Sequence, residues 1–240
     1  MIDGFLVALG FLTRIPVPSR VFADPAGRAR SLAWYPMVGA LIGMLLFAMA
    51  WLLPQGRPLL SAAVLLCAWV FLTGALHLDG LADSADAWVG GMGDRARTLE
   101  IMKDPRSGPA GVTVVVLVLL LKFAAMASLS QWSLLWLAPL VARMSLTMAF
   151  LCTPYVRSGG MGSGLADAPR AACAAMLCAG AACCVLTGWF GVIALACSGI
   201  VFVLWRRACM RRLGGITGDT AGALTEINEA VVLIAISLMS

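Results

Sequence analysis

Residues 59–86 read LLSAAVLLCAWVFLTGALHLDGLADSAD. The run Leu59–Leu78 contains no Asp, Glu, Lys or Arg, and it has the length of about 20 residues that an α-helix needs to cross the hydrocarbon core of a bilayer. Three aspartates, Asp79, Asp83 and Asp86, follow immediately. The stretch therefore predicts a membrane span that leads straight into an acidic segment.

Other apolar runs lie on both sides of this one. They are Trp34–Leu53, Ala110–Leu129 and Trp132–Cys152, a longer run Ala171–Trp205 that we divide at Gly188–Gly191, and a short last run Ala230–Met239. Tryptophans at several of their ends suit the aromatic belts of a membrane protein. We predict an all-α fold, a polytopic transmembrane helical bundle of about seven spans, as one domain over residues 1–240.

The composition supports this class. The chain is 61% hydrophobic and 12% charged, whereas about 25% of the residues of a soluble domain are charged. The N-terminal run Ile2–Leu12 is too short to span and carries Asp3 where a signal peptide is basic. We therefore predict an interfacial or re-entrant segment there. The eight cysteines are scattered without a C-x-x-C pair, which favours helix packing over metal binding.

The basic residues predict the orientation. Fourteen of the 17 lie before the first span or in the connections after the second, fourth and sixth spans. Because basic residues collect on the cytoplasmic side, we place these regions in the cytoplasm and the protein in a bacterial inner membrane. All 12 acidic residues then fall on the same face or at its edges. The expected partner is the lipid bilayer, with no nucleic acid, and a homo-oligomer is compatible with the sequence.

The three aspartates of the opening stretch are candidate metal ligands. On a helix, Asp79, Asp83 and Asp86 share one face, and like charges so placed repel one another. A divalent cation bound between them removes that repulsion, and Mg²⁺ prefers carboxylate and phosphate oxygens. The alternative is a solvated acidic helix end. We favour Mg²⁺ because the small residues Gly80 and Ala82 allow a ligand or a helix to approach.

Two later segments contain candidate contacts to an anion or a metal. Residues 100–111 mix Lys103 and Arg106 with proline and glycine, which suits either phosphate binding or a basic anchor at a membrane end. Residues 214–226 are rich in glycine, but their spacing matches neither G-x-G-x-x-G nor a P-loop. On a helix, Asp219 and Glu226 share a face with small residues, which predicts close packing against another helix and a second pair of metal ligands.

Three further residues attract attention because of their depth or rarity. Arg143 and Lys122 lie inside predicted spans, where a charge costs roughly 2.5–3.5 kcal/mol on insertion scales. We predict that Arg143 neutralises substrate phosphate and that Lys122 extends outward to the membrane surface. His77 is the only histidine, and an interfacial position is favoured over a role as general base.

The chain resembles the cobalamin synthases, the adenosylcobinamide-GDP ribazoletransferase family. The resemblance covers the whole chain in order, and Pro105 departs from it where a serine is expected. The matching motifs are Phe11-Leu12-Thr13-Arg14-Ile15-Pro16-Val17-Pro18, Trp34-Tyr35-Pro36 to Gly39, His77-Leu78-Asp79-Gly80-Leu81-Ala82-Asp83, Ile101-Met102-Lys103-Asp104 with Arg106 and Gly108, Tyr155 to Arg157, and Gly214-Gly215-Ile216-Thr217-Gly218-Asp219-Thr220-Ala221-Gly222-Ala223.

The resemblance implies a reaction. A hydroxyl of α-ribazole, or of its 5′-phosphate, attacks the phosphate that joins cobinamide to GMP in adenosylcobinamide-GDP, and GMP leaves. Metal charge and positioning supply most of the catalysis in such transfers. For this reaction the candidate catalytic residues are Asp79, Asp83, Asp86 and Arg143, and the candidate metal ligands are these aspartates with Asp219 and Glu226. The implied substrate contacts are Lys103, Asp104, Arg106, Gly108, Arg157, Gly215, Thr217 and Gly218.

Two alternatives compete with this interpretation. A lipid enzyme of the CDP-alcohol phosphotransferase type would carry an arginine after Ala82, where this chain has Asp83. A membrane transporter would place its charges near the bilayer midplane on broken, repeated helices. Only Lys122 and Arg143 are predicted to be that deep, and no repeat is visible.

Overall fold

A computed structural model describes residues 2–54, 56–157, 162–165 and 167–240. In this part of the chain the fold is all-α, and its one β-type pairing is an isolated bridge between Tyr155 and Ile216. The helices are α1 (Ile2–Leu12), α2 (Pro25–Ser31), α3 (Tyr35–Leu52), α4 (Pro58–Thr73), α5 (Leu76–Gly90), α6 (Arg95–Ile101), α7 (Pro109–Ser128), α8 (Leu137–Cys152), α9 (Arg170–Leu186), α10 (Trp189–Leu213) and α11 (Gly218–Ser237).

The prediction of a polytopic helical bundle is confirmed. Five segments of the described chain are long and apolar enough to cross a membrane: Pro25–Leu52, α7, Trp132–Cys152, α10 and α11. The bent pair of α4 and α5 passes the same test together, and α9 is an apolar helix of 17 residues. The run that we divided at Gly188–Gly191 is indeed two helices, α9 and α10. The short N-terminal segment is the 11-residue helix α1.

The acidic segment is not a straight continuation of the second span, which corrects one prediction. Helix α4 ends at Thr73, and α5 starts at Leu76 at an angle of 87° to it. The turn is made by Gly74 and Ala75, whose φ angles are +63° and +57°. Glycine adopts this left-handed region freely, whereas alanine does so at a cost. We treat α4 as the span and α5 as a helix that turns away from it.

The last span is longer than predicted and starts earlier. Helix α11 runs from Gly218 to Ser237, so the predicted run Ala230–Met239 is only its second half. Glu226 and Glu229 therefore lie inside this span, and Glu226 is about 12 Å along its axis at 1.5 Å per residue. The prediction that every acidic residue lies at the polar face or its edge is wrong for these two glutamates.

Helix α11 is the central helix of the bundle. Of its apolar window, 72% is buried, close to the 78% of the segment Trp132–Cys152 that contains α8 and far above the 22% of α7 and the 17% of α10. It packs against α5, α7, α8 and α10. The outer helices expose large apolar side chains such as Val116 and Leu120 of α7 and Ile200 and Leu204 of α10. Such surfaces are what a lipid-facing helix requires, and the core around α11 is where polar groups collect.

Candidate active site

A cavity of about 510 Å³ opens where α1, α5, α8 and α11 meet the connections after α6 and α8. Its polar wall carries His77, Asp79, Lys103, Arg157 and Asp219. Its apolar wall is formed by aromatic and leucine side chains, namely Phe11, Leu76, Leu146, Phe150, Tyr155 and Leu165. Residues from the predicted connections after the second, fourth and sixth spans thus meet at one place. This geometry confirms that they lie on one side of the molecule.

The carboxylates of this wall come from two helices held in close contact. A β-carbon added to Gly80 of α5 would lie 2.7 Å from the carbonyl oxygen of Asp219. One added to Gly222 of α11 would lie 3.3 Å from the Cα of His77. The prediction that small residues let the two acidic segments approach is confirmed for Asp79, Asp83 and Asp219. The two glycines therefore set the distance between the carboxylates of α5 and α11.

Asp83 lies one turn after Asp79 on α5, close to the negative charges of several other aspartates. Burial, followed by the charges of Asp79, Asp219 and Asp86, raises the pKa of Asp83 to about 6, and Arg157 opposes the increase. Burial and nearby carboxylates both disfavour the ionised form of an acid. A cation that binds beside Asp83 would therefore stabilise its ionised carboxylate.

Arg157 is the cation that faces these carboxylates. Its guanidinium donates to Asp219 Oδ2 at 2.9 Å, with both side chains partly exposed to the cavity. The segment that carries it is tied to the start of α11, because Val156 N–H donates to the Ile216 carbonyl at 2.9 Å and Ile216 N–H donates to Pro154 at 2.8 Å. The short bridge thus fixes an arginine at the mouth of the carboxylate cluster.

Several predicted substrate contacts have structural roles instead. Asp86 accepts from the backbone N–H of Gly108 at 2.7 Å and of Gly111 at 2.9 Å, which places its charge at the N-terminus of α7, where an anion is stabilised. Asp86 and Gly108 therefore do not line the cavity. The prediction that Gly108 contacts phosphate is wrong, because its N–H is already used by Asp86.

Asp104 and Arg106 bind each other outside the cavity. Arg106 donates to both carboxylate oxygens of Asp104, at 2.9 and 2.6 Å, and its side chain is 86% exposed. The pKa of Asp104 falls to about 2 because of these bonds. Of the predicted basic pair in this loop, only Lys103 lines the cavity.

The glycine-rich segment also divides into structural and cavity-lining residues. Thr217 is fully buried and caps α11, accepting from Thr220 N–H at 3.2 Å while its own N–H donates to Thr220 Oγ1 at 2.8 Å. Gly215 packs against Pro154, where a β-carbon would clash. Neither faces the cavity, in contrast to our prediction, but Gly218 does.

The deep charges form a separate network inside the bundle. Lys122 Nζ donates to Glu226 Oε2 at 2.6 Å and also to Glu229, and Arg143 pairs with Glu229. All four side chains are at most 5% exposed. Glu226 therefore binds Lys122 and is not a metal ligand. Lys122 does not extend outward, and Arg143 is not placed to touch substrate phosphate.

Sequence reasoning missed His77 and the aromatic side chains of the cavity. His77 lines it although an interfacial position was favoured, and its place two residues before Asp79 was the available signal. The rings of Phe150 and Tyr155 are stacked with centroids 6.0 Å apart. No periodicity predicts that these two and Phe11 converge, since they belong to different elements.

The carboxylates suit a hard divalent cation that also binds phosphate. Within residues 2–54, 56–157, 162–165 and 167–240, no three His, Cys, Asp or Glu side chains are close enough to form a complete metal site by themselves. Mg²⁺ is commonly held by only one or two carboxylates, with water and substrate phosphates as the other ligands. Asp79 and Asp219, with Asp83 behind them, fit that arrangement beside Lys103 and Arg157.

The chain is similar to proteins of one family along nearly its whole length. A family model described as cobalamin-5-phosphate synthase matches residues 4–237. The adenosylcobinamide-GDP ribazoletransferase of Stutzerimonas stutzeri is 54% identical over 237 residues, 97% of each chain. Relatives of the same name from Pseudomonas syringae and Pseudomonas aeruginosa PAO1 are each 52% identical, covering 98% of this chain and 99% and 98% of their own. No solved structure matches the chain. Since the family model and these relatives cover nearly all of its length, this chain belongs to the cobalamin-5-phosphate synthase family.

Proposed function

We propose that this protein is the transferase that completes the nucleotide loop of cobalamin. It moves the cobinamide-phosphate group of adenosylcobinamide-GDP to a hydroxyl of α-ribazole, or of α-ribazole 5′-phosphate, and releases GMP. The supporting observation is one cavity in which Asp79 and Asp219 of two helices face Arg157 and Lys103. Carboxylates that hold a cation beside basic groups that hold phosphate are the parts that phosphoryl transfer needs.

The residues of the polar wall divide the work between metal and phosphate. Asp79 and Asp219 would hold Mg²⁺, with Asp83 adding negative charge behind them, and the bound ion would neutralise charge on the phosphate oxygens. Arg157 can turn from Asp219 to bind a phosphate through two parallel hydrogen bonds, and Lys103 adds a second positive charge. Helices α5 and α11 keep the carboxylates in place before substrate arrives, so little reorganisation remains for the reaction itself.

The apolar wall suits the nucleoside acceptor. A planar base stacks on aromatic side chains with about 1–3 kcal/mol per base, and Phe11, Phe150 and Tyr155 provide such surfaces. A cavity of about 510 Å³ is within the usual range for a small-molecule site. The corrinoid ring is much larger than a nucleoside, so we place α-ribazole inside and the corrinoid at the mouth, with the diphosphate of the donor between them.

We further propose that the protein lies in the bacterial inner membrane with the cavity facing the cytoplasm. Basic residues of α6 and of the C-terminal part of α10, namely Arg95, Arg97, Arg206 and Arg207, would occupy the side where positive charge collects. Nucleotide-linked substrates are cytoplasmic, so a cavity on this side receives them directly. Reporter fusions after Asp94 and Arg212 should then report the cytoplasm, and one after Gly188 the opposite side.

Turnover by purified protein tests the proposal. The protein in lipid nanodiscs should release GMP from adenosylcobinamide-GDP only when α-ribazole and Mg²⁺ are present, and EDTA should stop the release. Asp79→Asn and Asp219→Asn should lower turnover by at least a hundredfold because they remove charge from the metal site. The exposed carboxylate variant Glu100→Gln is the matched control and should behave as wild type. Substantial Mg²⁺-dependent turnover by Asp79→Asn would contradict the assignment of the metal site.

A further inference from the structure

His77 connects the cavity to the buried charge network. It is the second residue of α5, it is 4% exposed, and it lines the cavity next to Asp79. Its backbone is held against α11, since Gly222 approaches its Cα closely. The imidazole therefore has little freedom to move. One of its nitrogens faces the protein core, and the other is left for the cavity.

The nitrogen that faces the core is Nδ1, and its partner is Arg143. The distance from Arg143 Nη2 to His77 Nδ1 is 3.4 Å. A guanidinium has only donors and stays charged, so a hydrogen bond between these atoms requires a lone pair on Nδ1. A neutral imidazole with its lone pair on Nδ1 carries its proton on Nε2. The neighbour of His77 thus decides the tautomer.

The ion pairs of the core keep Arg143 in this position. Its guanidinium is fully buried and pairs with Glu229, which also binds Lys122. Lys122 in turn binds Glu226 and lies 4.7 Å from the centre of the Trp69 ring. Two cations and two anions balance one another, so none is free to leave. Charged groups within membrane spans commonly face the bundle interior and pair with one another in this way.

We propose that Arg143 holds His77 as the Nε2–H tautomer, and that Nε2–H donates a hydrogen bond to a phosphate oxygen of bound substrate. His77 is then a donor that helps to place the phosphate, and it does not act as the base that deprotonates the attacking hydroxyl. Arg143 is a positioning residue that acts through His77. The tautomer rests on the structure alone, whereas the identity of the phosphate rests on the proposed function.

Because His77 is the only histidine of the chain, nitrogen NMR reports on it directly. Protein labelled with ¹⁵N-histidine, purified with a tag that lacks histidine and placed in nanodiscs, should show a protonated Nε2 and an unprotonated, hydrogen-bonded Nδ1 at neutral pH. Arg143→Gln should shift the Nδ1 signal. A protonated Nδ1 in the wild type would overturn the proposal.

Addition of a phosphate ligand tests whether Nε2–H of His77 donates a hydrogen bond to phosphate. With Mg²⁺ present, GMP and α-ribazole 5′-phosphate are added separately, and at least one should shift the Nε2 signal more than the Nδ1 signal. The ligand that does so identifies whether the donor's phosphate or the acceptor's phosphate lies beside His77. If both bind but neither moves the Nε2 signal, the hydrogen bond to phosphate does not exist. If neither ligand binds, the proposed function fails while the tautomer result stands.

Two substitutions of similar size distinguish a hydrogen-bond donor role of His77 from a role in packing alone. The side-chain amide nitrogen of glutamine can occupy the place of Nε2, whereas that of asparagine is closer to the place of Nδ1. A hydrogen bond to a charged group contributes about 1.5–3 kcal/mol, so His77→Asn should lower kcat/KM by roughly 10- to 150-fold. His77→Gln should keep most of the activity. Equal loss in both variants, or wild-type activity of His77→Asn in protein that remains folded, would overturn the donor role.

Discussion

Gly80 of α5 lies directly against the backbone of Asp219 in α11, and a β-carbon on Gly80 would be 2.7 Å from the Asp219 carbonyl oxygen and 2.9 Å from its Cα. The neighbouring residue of α5, Asp79, and the side chain of Asp219 both face the cavity. The closeness of two backbones therefore sets the distance between two carboxylates. A site for a small cation between helices requires such an approach.

Gly80→Ala should separate the two helices, because the clashing atoms belong to backbone and cannot rotate away. We expect turnover to fall by tenfold or more and the Mg²⁺ concentration for half-maximal activity to rise. Both are measured from GMP release at a series of Mg²⁺ concentrations. Gly199→Ala on α10 is the control, since its added β-carbon meets no atom within 4 Å. Equal behaviour of the two variants would mean that the contact between α5 and α11 does not control the site.

Arg157 and Arg106 provide a matched pair of arginine variants. Arg157 lines the cavity and donates to Asp219, whereas Arg106 is bound to Asp104 at the surface. Arg157→Lys keeps the charge but loses the planar fork that binds two oxygens, so kcat/KM for the GDP-linked donor should fall by roughly 10- to 100-fold. Arg106→Lys should stay within about twofold of wild type. A larger fall in kcat/KM for Arg106→Lys would mean that Arg106 does contact the substrate.

The buried network predicts a pattern of stabilities. Removing one member of a buried ion pair costs about 3–5 kcal/mol because the other charge is left unpaired. Lys122→Met and Glu226→Gln should each lower the melting temperature in detergent. The double variant should be less destabilised than the sum, since Arg143 and Glu229 remain as a neutral pair. Additive losses would show that Lys122 and Glu226 do not interact.

The sequence predicted what depends on length and composition. The apolar runs form helices, because a run of about 20 uncharged residues in a membrane must satisfy its backbone hydrogen bonds internally. The predicted division at Gly188–Gly191 is also present. The break at Gly74 and Ala75 was missed because no proline marks it and alanine seldom adopts a positive φ.

Pairings between distant residues were beyond the sequence. Lys122 and Glu226 are 104 residues apart, and Asp86 and Gly108 are 22 apart. A single sequence shows which charged side chains would be unfavourable inside a membrane span. It does not show which distant residue pairs with each of them. Four of the five residues of the polar wall were nevertheless predictable, since Asp79, Lys103, Arg157 and Asp219 were all candidates. What separated them from Asp104, Arg106 and Glu226 was the direction in which each side chain points.

The raised pKa of Asp83 predicts opposite effects of pH on metal binding and on stability. Its carboxyl is ionised above pH 6 and takes up a proton as the pH falls through about 6, and protons then compete with Mg²⁺ for the site. The Mg²⁺ concentration for half-maximal activity should therefore be constant between pH 7 and 8 and rise as the pH falls from 7 to 5, approaching tenfold per unit. In EDTA, by contrast, the folded state binds more protons than the unfolded state in this range. Stability should then increase as the pH falls from 7 to 5.

Asp83→Asn tests both effects in one variant. It removes the titrating group, so the Mg²⁺ requirement should be high at every pH and the melting temperature in EDTA should lose its rise between pH 7 and 5. Glu100→Gln removes an exposed acid and should leave both curves unchanged. A melting temperature of the wild type that falls on acidification in EDTA would mean that Asp83 is not held among like charges. In that case Asp79, Asp83 and Asp219 would not lie close together in the folded protein, and the metal site inferred from their closeness would be wrong.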